Sequence, residues 1–220
     1  MNILLACQKS GLLRQILRLD GHNAWTCDIE PAEDGPHASH IQCDVREVLH
    51  GCAPHAPWDV MIAMPECRHL CSSGQHHNGK PGQRTQQDVE DAADFFMQMI
   101  NAPIQHKCVE NSIGIMSSRY RKPDQIVQPH WFGDDASKAT CLWMENFPLL
   151  IPFDPVAPRA VVYEGKVVYR WSNQTDSGQN RLGPSPTRSA DRARTYPGIA
   201  RALQTAVTQL ARKEDYDGDD

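Results

Sequence analysis

Short apolar runs that alternate with helical patterns limit the folds open to this chain more than any other feature. "NILLAC" (2–7) reads as a first strand, "AWTCD" (24–28) as a second, "HIQCD" (40–44) as a third, "WDVMIAM" (58–64) as a fourth and "HKCVEN" (106–111) as a fifth. Between them, "LLRQILRLDGH" (12–22) carries Leu13, Ile16 and Leu17 at helical spacing and stops at Gly21. "RTQQDVEDAADFFMQMI" (84–100) places Val89, Ala92, Ala93, Phe96, Met99 and Ile100 on one face, with Asp88, Glu90, Asp91 and Asp94 largely opposite. Strands alternating with helices predict an α/β fold with a parallel sheet.

Past residue 111 the pattern thins. The chain reads as loop to about residue 137, and "ATCLWM" (139–144) reads as a further strand. "AVVYEGKVVYR" (160–170) predicts a hairpin turning at Glu164–Gly165. "SNQTDSGQNRLGPSPTRSADR" (172–192) reads as a mobile polar loop, and "PGIARALQTAVTQLARK" (197–213) as a closing amphipathic helix.

The 220 residues suit one domain, placed at 1–213, with residues 145–195 too few for a second. The opening apolar run is too short for a membrane span and has no basic leader, so a cytoplasmic protein is expected. Eight cysteines sit largely in strand-like runs, which favours buried free thiols over a disulfide framework. The net charge of −5 resides in the tail "EDYDGDD" (214–220), which is expected to be disordered; without its five acids the body balances 22 acids against 22 bases. There is no strong electrostatic footprint of a nucleic-acid binder.

Parallel α/β sheets bind ligands at the carboxyl ends of their strands. Here those ends read "CQKSG", Asp28, Asp44, Pro65-Glu66-Cys67 and Glu110-Asn111. A carboxylate after a second strand suits the hydroxyls of a ribose, and Asp44 suits the amino group of an adenine. Either acid could instead cap a helix. Cys67 could be a nucleophile, an inert pocket residue, or a metal ligand with Cys71, His69, His76 and His77, although no paired C-x-x-C units support a structural zinc site. Glu110 and Asn111 could simply end a strand and begin a turn.

"PECRHLCSSG" followed some 40 residues later by "VEN" resembles the DNA cytosine-5 methyltransferases, with Pro65, Cys67 and Gly74 at that family's spacing. More closely, "ACQKSG", "QPHWFGDDASKATCLWM" and "RARTYPGIARAL" are similar to segments of small phage-borne proteins of that superfamily, and the resemblance spans residues 1 to about 208. It implies a Rossmann-like, doubly wound methyltransferase fold with a small C-terminal hairpin and loop, in which 145–195 serves as a reduced substrate-recognition region. It implies S-adenosyl-L-methionine as cofactor, held by Ala6, Cys7, Gln8, Ser10, Gly11, Asp28, Ile29, Asp44, Val45 and Pro65. It implies that Cys67 attacks carbon 6 of cytosine, with Glu110 and Asn111 completing the catalytic set. Arg68, Gln128, Lys138, Arg192 and Arg194 are then substrate-binding candidates. The partner is DNA, duplex or single-stranded, or a cytosine nucleotide; no metal and no membrane is expected. The alternatives are a non-catalytic binding module of the same fold, or an enzyme for another pyrimidine. An acid beside the nucleophile, Glu66, would raise the thiol pKa if it pointed inward.

Overall fold

The computed structural model describes residues 1–49, 57–73, 84–185 and 188–217. A seven-stranded sheet runs β3 (His40–Gln42), β2 (Asn23–Asp28), β1 (Asn2–Ala6), β4 (Val60–Ala63), β5 (His106–Ser112), β7 (Thr140–Glu145), β6 (Gln125–Val127). The first five strands pair in parallel, and β7 is antiparallel to both β5 and β6. This is the Rossmann-like, mostly parallel α/β architecture implied by the resemblance, and its strand order reverses between β1 and β4.

Alternation along the strands divides the interior. Ile3, Leu5, Val60, Ile62, Cys108 and Leu142 face helices α1 (Leu12–Leu19) and α6 (Pro197–Asp217), packing on Leu13, Leu17, Ile199, Leu203 and Val207. Leu4, Ala6, Met61, Ala63, Val109, Cys141 and Trp143 face α3 (Gln86–Ile100), which contributes Ala93, Phe96 and Met99. Because both faces are covered, the strands are buried and read as nearly continuous apolar runs. Thr85 and Asp88 form a capping box that starts α3. A single short turn of helix, α2 (Val45–Glu47), follows β3.

Three sequence expectations need correction. The stretch expected to be loop up to about residue 137 holds α4 (Met116–Arg119), strand β6 and a 3-10 turn at Pro129–Trp131. At three residues β6 is too short to show alternation, and prolines stand close on both sides of it. Residues 172–192 are not a bare loop: Gln174 and Asn180 bridge, and α5 spans Arg188–Ala193. Helix α6 runs to Asp217, into the expected tail, and residues 218–220 lie outside the described residues. The hairpin forms as expected, β8 (Arg159–Tyr163) with β9 (Lys166–Arg170), and its turn residues Glu164 and Gly165 both adopt positive φ.

One buried charge shapes the edge of the sheet that the site uses. Arg14 on α1 is fully buried, donating to Thr26 Oγ1 at 2.7 Å and to Asp34 Oδ2 at 2.5 Å. Gln15 also donates to Asp34, and a Cβ on Gly11 would stand 2.2 Å from that same oxygen. The loop between β2 and β3 is thereby tied to the start of α1. Burial pushes the Asp34 carboxyl up, but the hydrogen bonds from Arg14 and Gln15 outweigh it and hold it below the usual carboxylate range. Its stabilisation is therefore present above that range and is lost as pH falls through the depressed value. Asp34→Ala strands a buried guanidinium and is expected to cost about 3 kcal/mol in urea denaturation at neutral pH. The gap from the parent should close in strong acid; an equal gap at both pH values would refute the ion pair.

Candidate functional site

The crevice opens where β1 and β4 diverge. Met64 continues β4 by donating its backbone N–H to the Ala6 carbonyl at 3.0 Å, and the chain then leaves the sheet at the buried Pro65. Asn111, 1% exposed on the α3 face of β5, donates from Nδ2 to the Pro65 carbonyl at 3.1 Å. Its Oδ1 accepts from Ser112 N at 3.0 Å. The Cys67 carbonyl accepts from the N–H groups of Leu70 and Cys71, forming a tight turn. That turn zips onto the segment after β5: Ser72 N donates to Ile113 O, and Ile115 N to Leu70 O. Gly114 makes the approach possible, since a Cβ there would lie 2.0 Å from the Leu70 carbonyl.

Period-two alternation puts Cys108, Glu110 and Ser112 on the α6 face of β5. A pocket lies there, beneath α6. Its polar lining is Glu110, Lys138, Thr140, Thr195 and Tyr196; Ile62, Met64, Cys108, Leu142, Ile199 and Leu203 make the apolar wall. Cys67 is not in that wall, but it feels Glu110 and Lys138, both of which are, and the side chain of Ser112. Burial pushes the Cys67 thiol up; Glu110 and Cys71 add to this, while Ser112 and Lys138 pull it down. Burial likewise pushes the Glu110 carboxyl up, against the pull of Lys138. Glu66 is exposed, so the acid next to Cys67 in sequence is not the one acting on it.

Lys138 is held at both ends. Its backbone N–H donates to Gln128 Oε1 at 3.0 Å, and its Nζ donates to the Arg194 carbonyl at 3.4 Å. Gln128 thus positions Lys138. The side chains of Arg68, Arg192 and Arg194 are exposed, and among the described residues Lys138 is the cation whose charge acts on Cys67.

The other arm of the crevice holds the remaining candidates. Cys7 follows β1 with φ of 56°, a strained value for a residue other than glycine. Its thiol is pushed up to about 12 by burial and then by Asp28 and Asp44, so both carboxylates converge on it. Asp28 accepts from Glu30 N at 2.9 Å; burial and the Glu30 charge raise it, while that hydrogen bond, Lys9 and His40 oppose. Asp44 caps α2 and pairs with Arg46, chiefly through a side-chain hydrogen bond that lowers its pKa, so the helix-cap alternative holds for this acid. Gln8 is 6% exposed, donates to Met64 Sδ at 3.2 Å and leaves its Oε1 buried without a partner among the described residues. Ile29 is 71% exposed beside Asp28, whereas the Ala6 and Val45 side chains are in the core. Ser10 Oγ accepts from Leu12 N at 3.4 Å, and Gly11 abuts Asp34.

Sequence reasoning missed Ser112, Thr140, Thr195 and Tyr196. Alternation from Glu110 was the available signal for Ser112; the others converge only through tertiary structure. Among the described residues no group of three His, Cys, Asp or Glu side chains could hold a metal, and no helix is long and apolar enough to cross a membrane. Gly74, His76 and His77 lie outside the described residues.

No protein-family model and no curated protein sequence matches the chain. Among solved structures it is similar to one provisionally named a DNA modification methyltransferase, encoded within a prophage (E. coli). The two share 17% identity at a TM-score of 0.47, over 71% of this chain and 52% of that one, so this chain spans about half the length of its match. The fold assignment rests on the strand order itself.

The opposed influences on Cys67 give a test by alkylation. Peptide mapping after iodoacetamide treatment across pH should place the Cys67 midpoint above that of an ordinary thiol. Lys138→Met should raise the midpoint further, and Glu110→Gln should lower it. Midpoints that ignore both substitutions would show that the three groups do not share a pocket.

Proposed function

We propose that this chain transfers a methyl group from S-adenosyl-L-methionine to carbon 5 of a cytosine in DNA, with Cys67 adding at carbon 6. The observation that carries this reading is a pocket lined by Glu110, whose carboxyl burial raises, and by Lys138, both of which act on the Cys67 thiol outside its wall.

The residues present fit the cofactor. Gln8 Oε1 is a buried acceptor in need of a donor, such as an α-ammonium group. Asp28 uses one oxygen on Glu30 N and retains acceptor capacity for ribose hydroxyls. Exposed Ile29 offers an apolar surface for an adenine face. Asp44 is occupied by its cap and by Arg46, so its share of an adenine contact depends on the lone pairs that remain. When bound, the cofactor supplies a methyl group on a sulfonium, which is an electrophile.

The protein's part is to make carbon 5 nucleophilic. Addition of the Cys67 thiolate to carbon 6 turns the ring enamine-like at carbon 5. Burial raises the Glu110 carboxyl, and in its neutral form it donates to ring N3 and draws electron density away from carbon 6. Lys138 stabilises the thiolate, and Asn111 positions the loop that carries it. After alkylation the carbon 5 proton passes to water and the carbon 6–sulfur bond breaks, restoring the ring and the thiolate. A base within a duplex must first be turned out of the stack.

A binding module that keeps the pocket without transfer is the competing reading, and the upward shift of the Cys67 thiol favours it, because a protonated thiol does not add. DNA containing 5-fluorocytosine, incubated with the protein and cofactor, separates the two. An adduct stable to denaturing electrophoresis, absent with Cys67→Ser and reduced about 100-fold or more in rate with Glu110→Gln, is the expected result. Tight DNA binding without an adduct in duplex, single strand or nucleotide would leave only the module.

A further inference from the structure

Three thiols gather beside the carboxylates of the Asp28–Asp44 arm. Cys27 stands immediately before Asp28, and Cys43 immediately before Asp44. Cys7, just past β1, acts on Cys27 through its charge, as do Cys43 and Asp28.

Two of the three are in contact. Cys27 Sγ lies 4.0 Å from Cys43 Sγ, and it donates to the Cys43 carbonyl at 3.6 Å. Strand register alone does not bring them together, because Cys27 pairs with Ile41. The chain turns back after β3, where Cys43 N donates to Ile41 O at 3.2 Å, and this turn carries the Cys43 side chain to Cys27. The cluster is not a metal centre: among the described residues no group of three His, Cys, Asp or Glu side chains could hold an ion.

The two sulfurs differ in access and in freedom. Cys27 is fully buried in the core, whereas Cys43 is half-buried, so an oxidant in solution meets Cys43 first and Cys27 resolves. Strand β2 is hydrogen-bonded to β1 on one side and β3 on the other, while β3 is the edge of the sheet and ends at Gln42. A disulfide holds its sulfurs about 2.05 Å apart, so these two must close by about 2 Å, and the Cys43 side is the one that can give. Asp44 travels with it. That carboxylate accepts from Arg46 N as the cap of α2 and pairs with the Arg46 side chain.

We propose that Cys27 and Cys43 form a reversible disulfide that displaces the Asp44 cap relative to Asp28, so that oxidation weakens the hold of this arm on its ligand. The oxidant is a small disulfide such as oxidised glutathione. The Cys43 thiolate attacks one of its sulfurs and expels a glutathione thiolate. The Cys27 thiolate then attacks the Cys43 sulfur of the mixed disulfide and expels the second. Two protein thiols lose two electrons and two protons, and one glutathione disulfide becomes two glutathione thiols. Burial pushes the Cys27 thiol up, so the second step limits the rate.

This rests on the reading above only for the identity of the ligand. The test equilibrates the full chain with mixtures of reduced and oxidised glutathione, blocks remaining thiols with N-ethylmaleimide and maps peptides without reduction. A linked Cys27–Cys43 peptide pair that dithiothreitol removes is expected, retained in Cys7→Ser and absent in Cys43→Ser. Amide hydrogen exchange over residues 43–48 should change when the parent is oxidised and stay constant in Cys43→Ser. Calorimetry with S-adenosyl-L-methionine should find the oxidised parent about 10-fold weaker than the reduced, because a hydrogen bond to a carboxylate is at stake. Cys43→Ser should show no such loss. A pair that links only after denaturation, or Cys27 joined to Cys7 instead, would overturn the proposal, as would a native link that leaves exchange over 43–48 unchanged. If the reduced parent binds no S-adenosyl-L-methionine, the cofactor reading fails while linkage and exchange still decide the switch. Equal affinity in both states would end the switch and leave the cofactor reading standing.

Discussion

The Asn111 amide donates across 3.1 Å to the Pro65 carbonyl, and the position of the Pro-Glu-Cys turn depends on it. Asn111 lies on the α3 face of β5, while its neighbour Glu110 lies on the α6 face. A strand turns successive side chains to opposite faces, so the pair acts in two directions at once. One residue anchors the loop that carries the thiol; the other presents a carboxyl whose charge acts on that thiol. A buried side-chain amide that lost this partner would carry the cost of an unmade hydrogen bond, so the anchor is also a stability element.

Burial and charge oppose each other throughout the pocket. Both the thiol and the carboxyl are driven toward their neutral forms by loss of water, and the Lys138 charge works against that for each. At Cys67 the Ser112 side chain works in the same direction as Lys138. The placement of Lys138 in turn depends on Gln128 and on the Arg194 carbonyl, which join the sheet's antiparallel edge to the segment before α6. Three stretches distant in sequence thus act on one sulfur.

The sheet was legible because its strands are buried on both faces and its helices repeat apolar residues on one side. Runs such as "VMIA" and "ILLA" need no partner to be read as strands. What escaped the sequence was held by polar contacts without a period. Arg14 occupies a fully buried position that an amphipathic reading gives to an apolar residue, and only Thr26 and Asp34 make it tolerable. Strand β6 offers three residues, too few for a pattern. In the site, adjacency does not fix contact: Arg68 and Glu66 flank Cys67 in sequence but are exposed, while Lys138, distant in sequence, acts on it.

A neutral body can still carry a local basic face. A neutral body after subtraction of an acidic tail argues against nucleic-acid binding only if charge is spread evenly. Here the surplus of basic residues is concentrated between 159 and 194, and Asn173 and Trp171 fasten that region to the pocket rim. Acidic side chains gather instead around the arm of Asp28 and Asp44, where their charges raise the Cys7 thiol.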